Sequence, residues 1–412
     1  MKQKERQLRE IKIMRVDKSL HLCSTFVALC FLFETAVAAE TTEDPVDSNL
    51  DLGGALRLQH RYEDWDSSSK GGAGKIDFES LTLKLKGNQG NFFADASYYL
   101  RYLNDEEINS LEHGYVGYRF SSDRQLQLGW AYEPFGLQPY PQFGWTFNIP
   151  FYLAMGHSSA LGGKYVQEFG DWDIQLGAFK KAIPVENRFS PNMADAKDVD
   201  DAFVAPTNRL QANEKENQFN LHLNREFKGD GWDGTFGVSA YRGDLVNRLS
   251  DGDGDYWGAE LQSIIHRGPW TLALQGIRYA FNPNNPAGVS EDSVLFAGAG
   301  TPSYLVAAKG SIGVANLAYD LPVSSLGPVK KLRLYSDYSH LFKDKAGWDD
   351  SQMATLGVQF FAWPVMGWLD FTWGRNLNVM GGRPGGVGLA SADASGSDRV
   401  EFRTNLNIGY YF

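Results

Sequence analysis

Beyond residue 39 the sequence contains no cysteine, no apolar run long enough to cross a bilayer as a helix, and no surplus of positive charge. Each absence excludes a class of protein. Cys23 and Cys30 both fall within the first forty residues, so a chain that loses them has neither disulfides nor cysteine-ligated metals. Without some twenty consecutive apolar residues, no helix spans a membrane. Residues 1–39 take seven bases and four acids from totals of 39 and 50, leaving 32 against 46, a net charge of −14. A chain this acidic is a poor partner for nucleic acid. No G-x-S-x-G, H-E-x-x-H or phosphate-binding glycine loop occurs, and the seven histidines lack metal-ligand spacing. Neither a catalytic constellation nor a metal or cofactor is expected.

The first forty residues read as a secretory signal. A basic stretch (Lys2, Lys4, Arg6, Arg9, Lys12, Arg15, Lys18) leads into an apolar run over 20–33, followed by Ala36-Val37-Ala38-Ala39. That order of basic, apolar and small residues is the export pattern, with cleavage expected after Ala38 or Ala39. The basic part is long, which makes Met14 an alternative start. Cys30 follows Leu29 rather than a small residue, against a lipoprotein. Residues 40–51 then form a short periplasmic lead, and 52–412 the folded domain.

What is present is glycine (44 residues) and aromatics (14%), with only 22% charged residues. A barrel with one greasy face has such a composition, and a secreted soluble all-β protein shares it. Patterning separates the two. Segments of about ten residues alternate apolar and polar, as in 55–62, where Leu56 and Leu58 oppose Arg57, Gln59 and Arg61. Similar patterns recur at 92–102, 124–133, 171–180, 217–227, 234–242, 256–265, 331–342, 353–362, 365–374 and 399–412. Weaker segments lie at 76–86, 111–120, 163–169, 270–281 and 304–319. The phase changes near Ser80, where a β-bulge is expected. About sixteen strands result. Long connections (63–75, 103–110, 134–162, 181–216, 243–255, 282–303, 343–352, 375–398) alternate with short turns, the rule for an all-β transmembrane antiparallel barrel with external loops and periplasmic turns. The last strand ends in Tyr410 and Phe412. An aromatic terminal strand resembles the assembly signal read by the barrel-assembly machinery. In a soluble protein it would be an aggregation-prone edge.

The run Leu126-Gln-Leu-Gly-Trp-Ala-Tyr-Glu-Pro-Phe-Gly-Leu137 and the stretch Glu168-Phe-Gly-Asp-Trp-Asp-Ile-Gln-Leu-Gly177 resemble the phosphate-selective porin O/P-like family. The first is similar to the strand entering that family's third loop, the second to the strand pair that follows. The resemblance implies a sixteen-strand barrel in the outer membrane of a Gram-negative bacterium. It also implies a homotrimer, with the third loop folded inward to narrow the pore. Outer-membrane lipid and lipopolysaccharide would surround the barrel.

The third loop, 134–162, holds Tyr140, Phe143, Trp145, Phe147, Phe151 and Tyr152 but no charged side chain after Glu133, and His157 is its lone imidazole. Its aromatics either pack the loop against the wall or offer stacking surfaces to sugars. Facing it, Arg57, Arg61, Lys84, Arg101 and Arg403 are expected to form a basic wall, with Lys86, Arg119 and Arg399 also inward. Fixed positive charge in a narrow pore favours anions. Alternatively, lumen charges pair across strands, and Asp95, Glu260, Asp337 and Asp370 also point inward. Asp251-Gly-Asp-Gly-Asp255 has the start of a calcium loop, but Tyr256 and Gln262 occupy the positions that need glycine and an acid, so a solvated acidic turn is expected. The expectation is therefore passive diffusion of small hydrophilic solutes with mild anion preference, phosphate included. A sugar-specific porin is the alternative. A barrel phospholipase or protease, using Ser158 beside His157, is the remote one.

Overall fold

The computed structural model describes residues 48–71, 74–103, 106–182, 192–193, 207–250, 252–298, 301–381, 388–391 and 399–412. The expected signal segment and most of the periplasmic lead lie outside these residues. Nineteen strands follow in order: β1 Ser48–Glu63, β2 Lys75–Gln89, β3 Phe92–Leu103, β4 Glu106–Ser121, β5 Arg124–Tyr132, β6 Ser159–Phe169 and β7 Trp172–Ala182. Then come β8 Asn192–Met193, β9 Asn213–Gly229, β10 Trp232–Asn247, β11 Gly252–Arg267, β12 Trp270–Asn282, β13 Ser293–Gly298 and β14 Thr301–Ala307. The last five are β15 Lys309–Pro322, β16 Lys331–Lys343, β17 Ser351–Ala362, β18 Val365–Arg375 and β19 Val400–Tyr411. All but β8, β13 and β14 form one closed sixteen-strand antiparallel barrel, matching the expected count.

The barrel closes where the chain's last strand meets its first. Ala55 lies opposite Tyr411, and Gly54 and Phe412 exchange two backbone hydrogen bonds, 2.8 and 3.1 Å. Closure leaves no edge to solvent or lipid. Gly54 is required for it. A Cβ there would stand 2.3 Å from the Thr82 carbonyl and 2.8 Å from the Phe412 ring.

Alternation along each strand sends leucines outward and polar groups inward. Leu56, Leu58, Leu128, Leu176, Leu221, Leu261, Leu274, Leu317, Leu334 and Leu356 are exposed on the outer face. Burying each in lipid is worth about 1.5–3 kcal/mol. Beside the short turns, Phe92, Phe169, Trp172, Trp232, Trp270, Trp363 and Phe412 are exposed as well. This is the aromatic girdle of a membrane interface. No helix among the described residues is long and apolar enough to cross a membrane; the strands cross instead. Glu79 and Ser80 are consecutive and both buried, which is the phase change expected near Ser80.

Three expectations need correction. The 103–110 connection is not long: β3 runs to Leu103 and β4 starts at Glu106. Glu106 and Glu107 pair with Leu103 and Tyr102, yet two consecutive acids show no apolar alternation. β10 and β11 likewise extend through much of 243–255, pairing as far as Asn247 with Gly252; Leu245 and Tyr256 there enter the apolar core, and the intervening glycines and aspartates hide the alternation. The segment 304–319 is not one strand. Residues 301–307 belong to a separate sheet, β14-β13-β8, and the barrel strand begins at Lys309.

That small sheet belongs to an apolar core built on the inner faces of β10 to β17. Val294, Phe296, Tyr304 and Val306 from the sheet pack with Tyr241, Tyr256, Tyr279, Phe281 and Leu341 from the wall. Ile149, Leu153 and Met155 of the third loop join the same core. This side of the lumen is therefore filled.

Candidate functional site

The third loop leaves β5 at Tyr132 and returns at Ser159. Its course is set by polar groups of the wall that accept its backbone N–H groups. Gly136 N–H donates to Ser239 Oγ (3.1 Å), and the wall amide of Asn316 donates to the Pro141 carbonyl (2.7 Å). Asp337 accepts from Phe143 N–H (3.0 Å) and Gly144 N–H (2.7 Å). Asp370 accepts from Thr146 N–H (2.7 Å) and from the Tyr335 hydroxyl. Gly136 has φ +70°, and a Cβ there would stand 2.7 Å from Glu260 and from Gln275. A helical turn, Ile149–Tyr152, follows, and its Tyr152 carbonyl accepts from the Tyr304 hydroxyl (2.7 Å).

Two of the four carboxylates expected to weaken anion preference thus have another role. Asp337 and Asp370 are buried and directed at the loop's backbone. Such charge-assisted bonds are about twice as strong as neutral ones. They fasten the loop to β16 and β18.

At its far end the loop crosses back to β4. His157 Nε2 lies 2.8 Å from Glu112 and Nδ1 lies 3.1 Å from the Pro139 carbonyl. The Tyr140 ring stacks on the imidazole at 4.1 Å. His157 is therefore a fastening rather than a lining residue. Ser158 Oγ is buried without a hydrogen-bond partner, so Ser158 and His157 are not arranged as nucleophile and base.

Between the loop and the wall formed by β18, β19 and β1 to β4 lies a cavity of about 470 Å³. Arg57, Arg61, Lys84, Arg101 and Arg403 all line it, as do Tyr140, Phe143, Trp145 and Phe147 from the loop. Glu63, Glu79 and Glu112 line it too, leaving the cations in surplus by two. Pairing absorbs part of this charge. Arg61 sits 3.4 Å from Glu63 and 3.9 Å from Asp77, and Arg101 sits 3.4 Å from Glu79. Among the described residues, Arg57, Lys84 and Arg403 have no carboxylate within 4.0 Å. Arg57 is held by neutral oxygens instead: Nη1 donates to Thr82 (2.7 Å) and Ser80 (3.2 Å), and Nε to the Tyr411 hydroxyl (3.3 Å). Its guanidinium lies 5.2 Å from the rings of both Trp145 and Tyr411. These contacts fix its position without cancelling its charge.

The other expected inward bases lie away from this cavity. Lys86 is 3.9 Å from Asp95. Arg119 donates to Asn88 and covers the Phe93 ring. Arg399 sits at the external rim with Asp64 and Glu401. Tyr410 and Phe412 face outward, more than half exposed. Asp255, from the acidic turn, is bonded by Asn282, and Asp251 lies outside the described residues. Sequence reasoning missed Gln59 and Gln142, which line the cavity. It also missed Trp368, which packs against Trp145 at 5.1 Å.

The closed barrel, its apolar belt and the inward loop define a sixteen-stranded outer-membrane barrel of porin architecture. Among solved structures the chain is similar to the outer membrane channel DcaP of Acinetobacter baumannii, with a TM-score of 0.58 and 12% identity over 89% of this chain and 97% of that one. It is similar to the anion-selective porin of Comamonas acidovorans (TM-score 0.55, 12% identity, 89% and 100% covered). OmpT, an outer membrane protein of Vibrio cholerae in its trimer form, is also similar (0.53, 13%, 89% and 99%). At these identities the likeness is one of fold. No family model and no curated protein matches the sequence.

Proposed function

We propose that this chain is a passive porin for small hydrophilic solutes with a preference for anions, phosphate among them. One observation carries the reading. Arg57, Lys84 and Arg403 line the cavity with no carboxylate partner among the described residues, facing a loop that contributes no carboxylate of its own. A permeating anion meets uncompensated positive charge along one wall, and a cation meets the same charge as a barrier. The similar porin from Comamonas acidovorans is described as anion-selective. The resemblance to the phosphate-selective O/P-like family adds phosphate as the specific permeant to test.

The test is planar-bilayer conductance with reversal potential in a KCl gradient. A unit charge about 5 Å from an ion contributes about 0.8 kcal/mol at the dielectric constant of water, and about 0.5 kcal/mol after screening at 0.1 M salt. That favours the anion and opposes the cation by about twofold each, so Arg57→Ala or Arg403→Ala lowers the chloride-to-potassium permeability ratio about fivefold. A wild-type channel that prefers potassium overturns the reading. A neutral-sugar porin is the second reading, favoured by the paired indoles of Trp145 and Trp368 at the cavity wall. Block by maltodextrins but not by phosphate would select it. For assembly we propose a homotrimer surrounded by outer-membrane lipid and lipopolysaccharide, inserted by the barrel-assembly machinery through Tyr410 and Phe412. The mass of the detergent-solubilised protein tests the trimer.

A further inference from the structure

The cavity is lined by polar groups that call for more hydrogen-bond donors than a small inorganic anion offers. Gln59, on β1 between Arg57 and Arg61, is 2% exposed, and its Oε1 has no hydrogen-bond partner among the described residues. Gln142, on the loop across the gap, is 9% exposed, and its Oε1 is likewise unpartnered. Both line the cavity. A buried amide oxygen without a donor costs about 1–3 kcal/mol. Phosphate oxygens and carboxylates accept hydrogen bonds but have few or no protons to offer. Hydroxyl groups donate. The same cavity has the Trp145 and Trp368 indoles in mutual contact and a guanidinium, Arg57, fixed against Trp145. Indole faces suit the C–H faces of a sugar, and guanidinium suits a phosphate or carboxylate group.

We propose that the cavity is a binding site for an anionic monosaccharide: a hydroxylated six-carbon chain or ring bearing one phosphate or carboxylate. The anionic group lies on the Arg57 side and the hydroxyls donate to Gln59 and Gln142 across the gap. This rests on the anion-preferring reading above and adds the part of the solute that is not charged. The volume suits one such molecule, and a single binding position in a diffusion channel lowers the concentration at which a solute blocks ion current.

The experiment compares anions with and without a hydroxylated carbon chain on the wild-type channel, reading half-blocking concentration at a fixed KCl concentration. Gluconate is set against hexanoate, glucose 6-phosphate against inorganic phosphate, and glucose serves as the neutral control. One hydrogen bond of this kind is worth about tenfold. Gluconate is therefore expected to block at about one-tenth of the hexanoate concentration or lower, and glucose to block only above both. Gln59→Met and Gln142→Met are expected to bring gluconate to the hexanoate value. A greater advantage for glucose 6-phosphate over phosphate than for gluconate over hexanoate assigns the site to sugar phosphates; the reverse assigns it to sugar acids. Equal block by gluconate and hexanoate, in a channel whose reversal potential favours chloride, overturns this inference and leaves the porin reading standing. A reversal potential that favours potassium overturns both.

Discussion

Release of the third loop from its wall is the perturbation most directly set by the geometry. Asp337 accepts two backbone N–H groups, from Phe143 and Gly144, and Asp370 accepts a third, from Thr146. Hydrogen bonds to a charged acceptor contribute about 1.5–3 kcal/mol each. Asp337→Ala therefore removes about 3 kcal/mol or more from the attachment of this segment, raising its detached fraction about 150-fold. The remaining ties, to Ser339, Asn316 and Tyr304, keep the loop inside the barrel. The expected result is a larger mean single-channel conductance with excess open-channel noise. Asp337→Asn separates the two causes. It removes the charge as Ala does but keeps an oxygen acceptor, so a change shared by both variants reports charge. Noise confined to Ala reports the lost hydrogen bonds. An Asp337→Ala, Asp370→Ala double variant that folds as a heat-modifiable barrel, with wild-type conductance and noise, would refute the account of how the loop is held.

Other outcomes follow from particular contacts. Gly54→Leu places side-chain atoms against the Thr82 carbonyl and the Phe412 ring, so the β1–β19 seam fails to close; loss of heat-modifiable mobility on gels reads this directly. Deleting Phe412 removes its two backbone hydrogen bonds to Gly54 and its outward ring, and is expected to lower outer-membrane yield several-fold, measured by membrane fractionation. Trp145→Ala takes away the ring beside Arg57 and Trp368. It should raise conductance while raising the half-blocking concentration of any solute that stacks there, and unchanged block would count against an aromatic contribution.

The sequence shows the barrel because lipid and lumen impose opposite chemistry on alternate residues. Leu56 and Leu58 against Arg57 and Gln59 can be read directly, and so can the aromatic final strand. Where lipid is absent the signal fails. Glu106 and Glu107 are paired residues of β4 that look like loop, because two consecutive acids show no apolar alternation. Val294, Leu295 and Phe296 are consecutive and all buried, so β13 has no period of two and reads as part of a long connection. The basic residues are visible as types, yet their state is not. Arg61, Arg101 and Arg399 have acidic neighbours within 4.0 Å, whereas Arg57 and Arg403 do not, and only strand register separates the two groups. The loop's ties to Asp337 and Asp370 depend on partners 193 to 224 residues away in sequence. The available hint was a long loop without charge of its own beside two mid-strand aspartates.

Because Asp337 and Asp370 tie the loop to β16 and β18 while the basic residues that meet solute stand on β1, β2, β3 and β19, most residues that shape the aperture differ from those that choose its traffic. A substitution on the choosing side changes a charge or an amide without loosening the frame. Such a scaffold can move from one solute to another by single replacements, each intermediate still a folded, open channel. Natural variants of this barrel should therefore diverge first at Arg57, Gln59, Lys84 and Arg403 and keep Asp337 and Asp370, so that lineages facing different nutrients share the frame and differ along one wall.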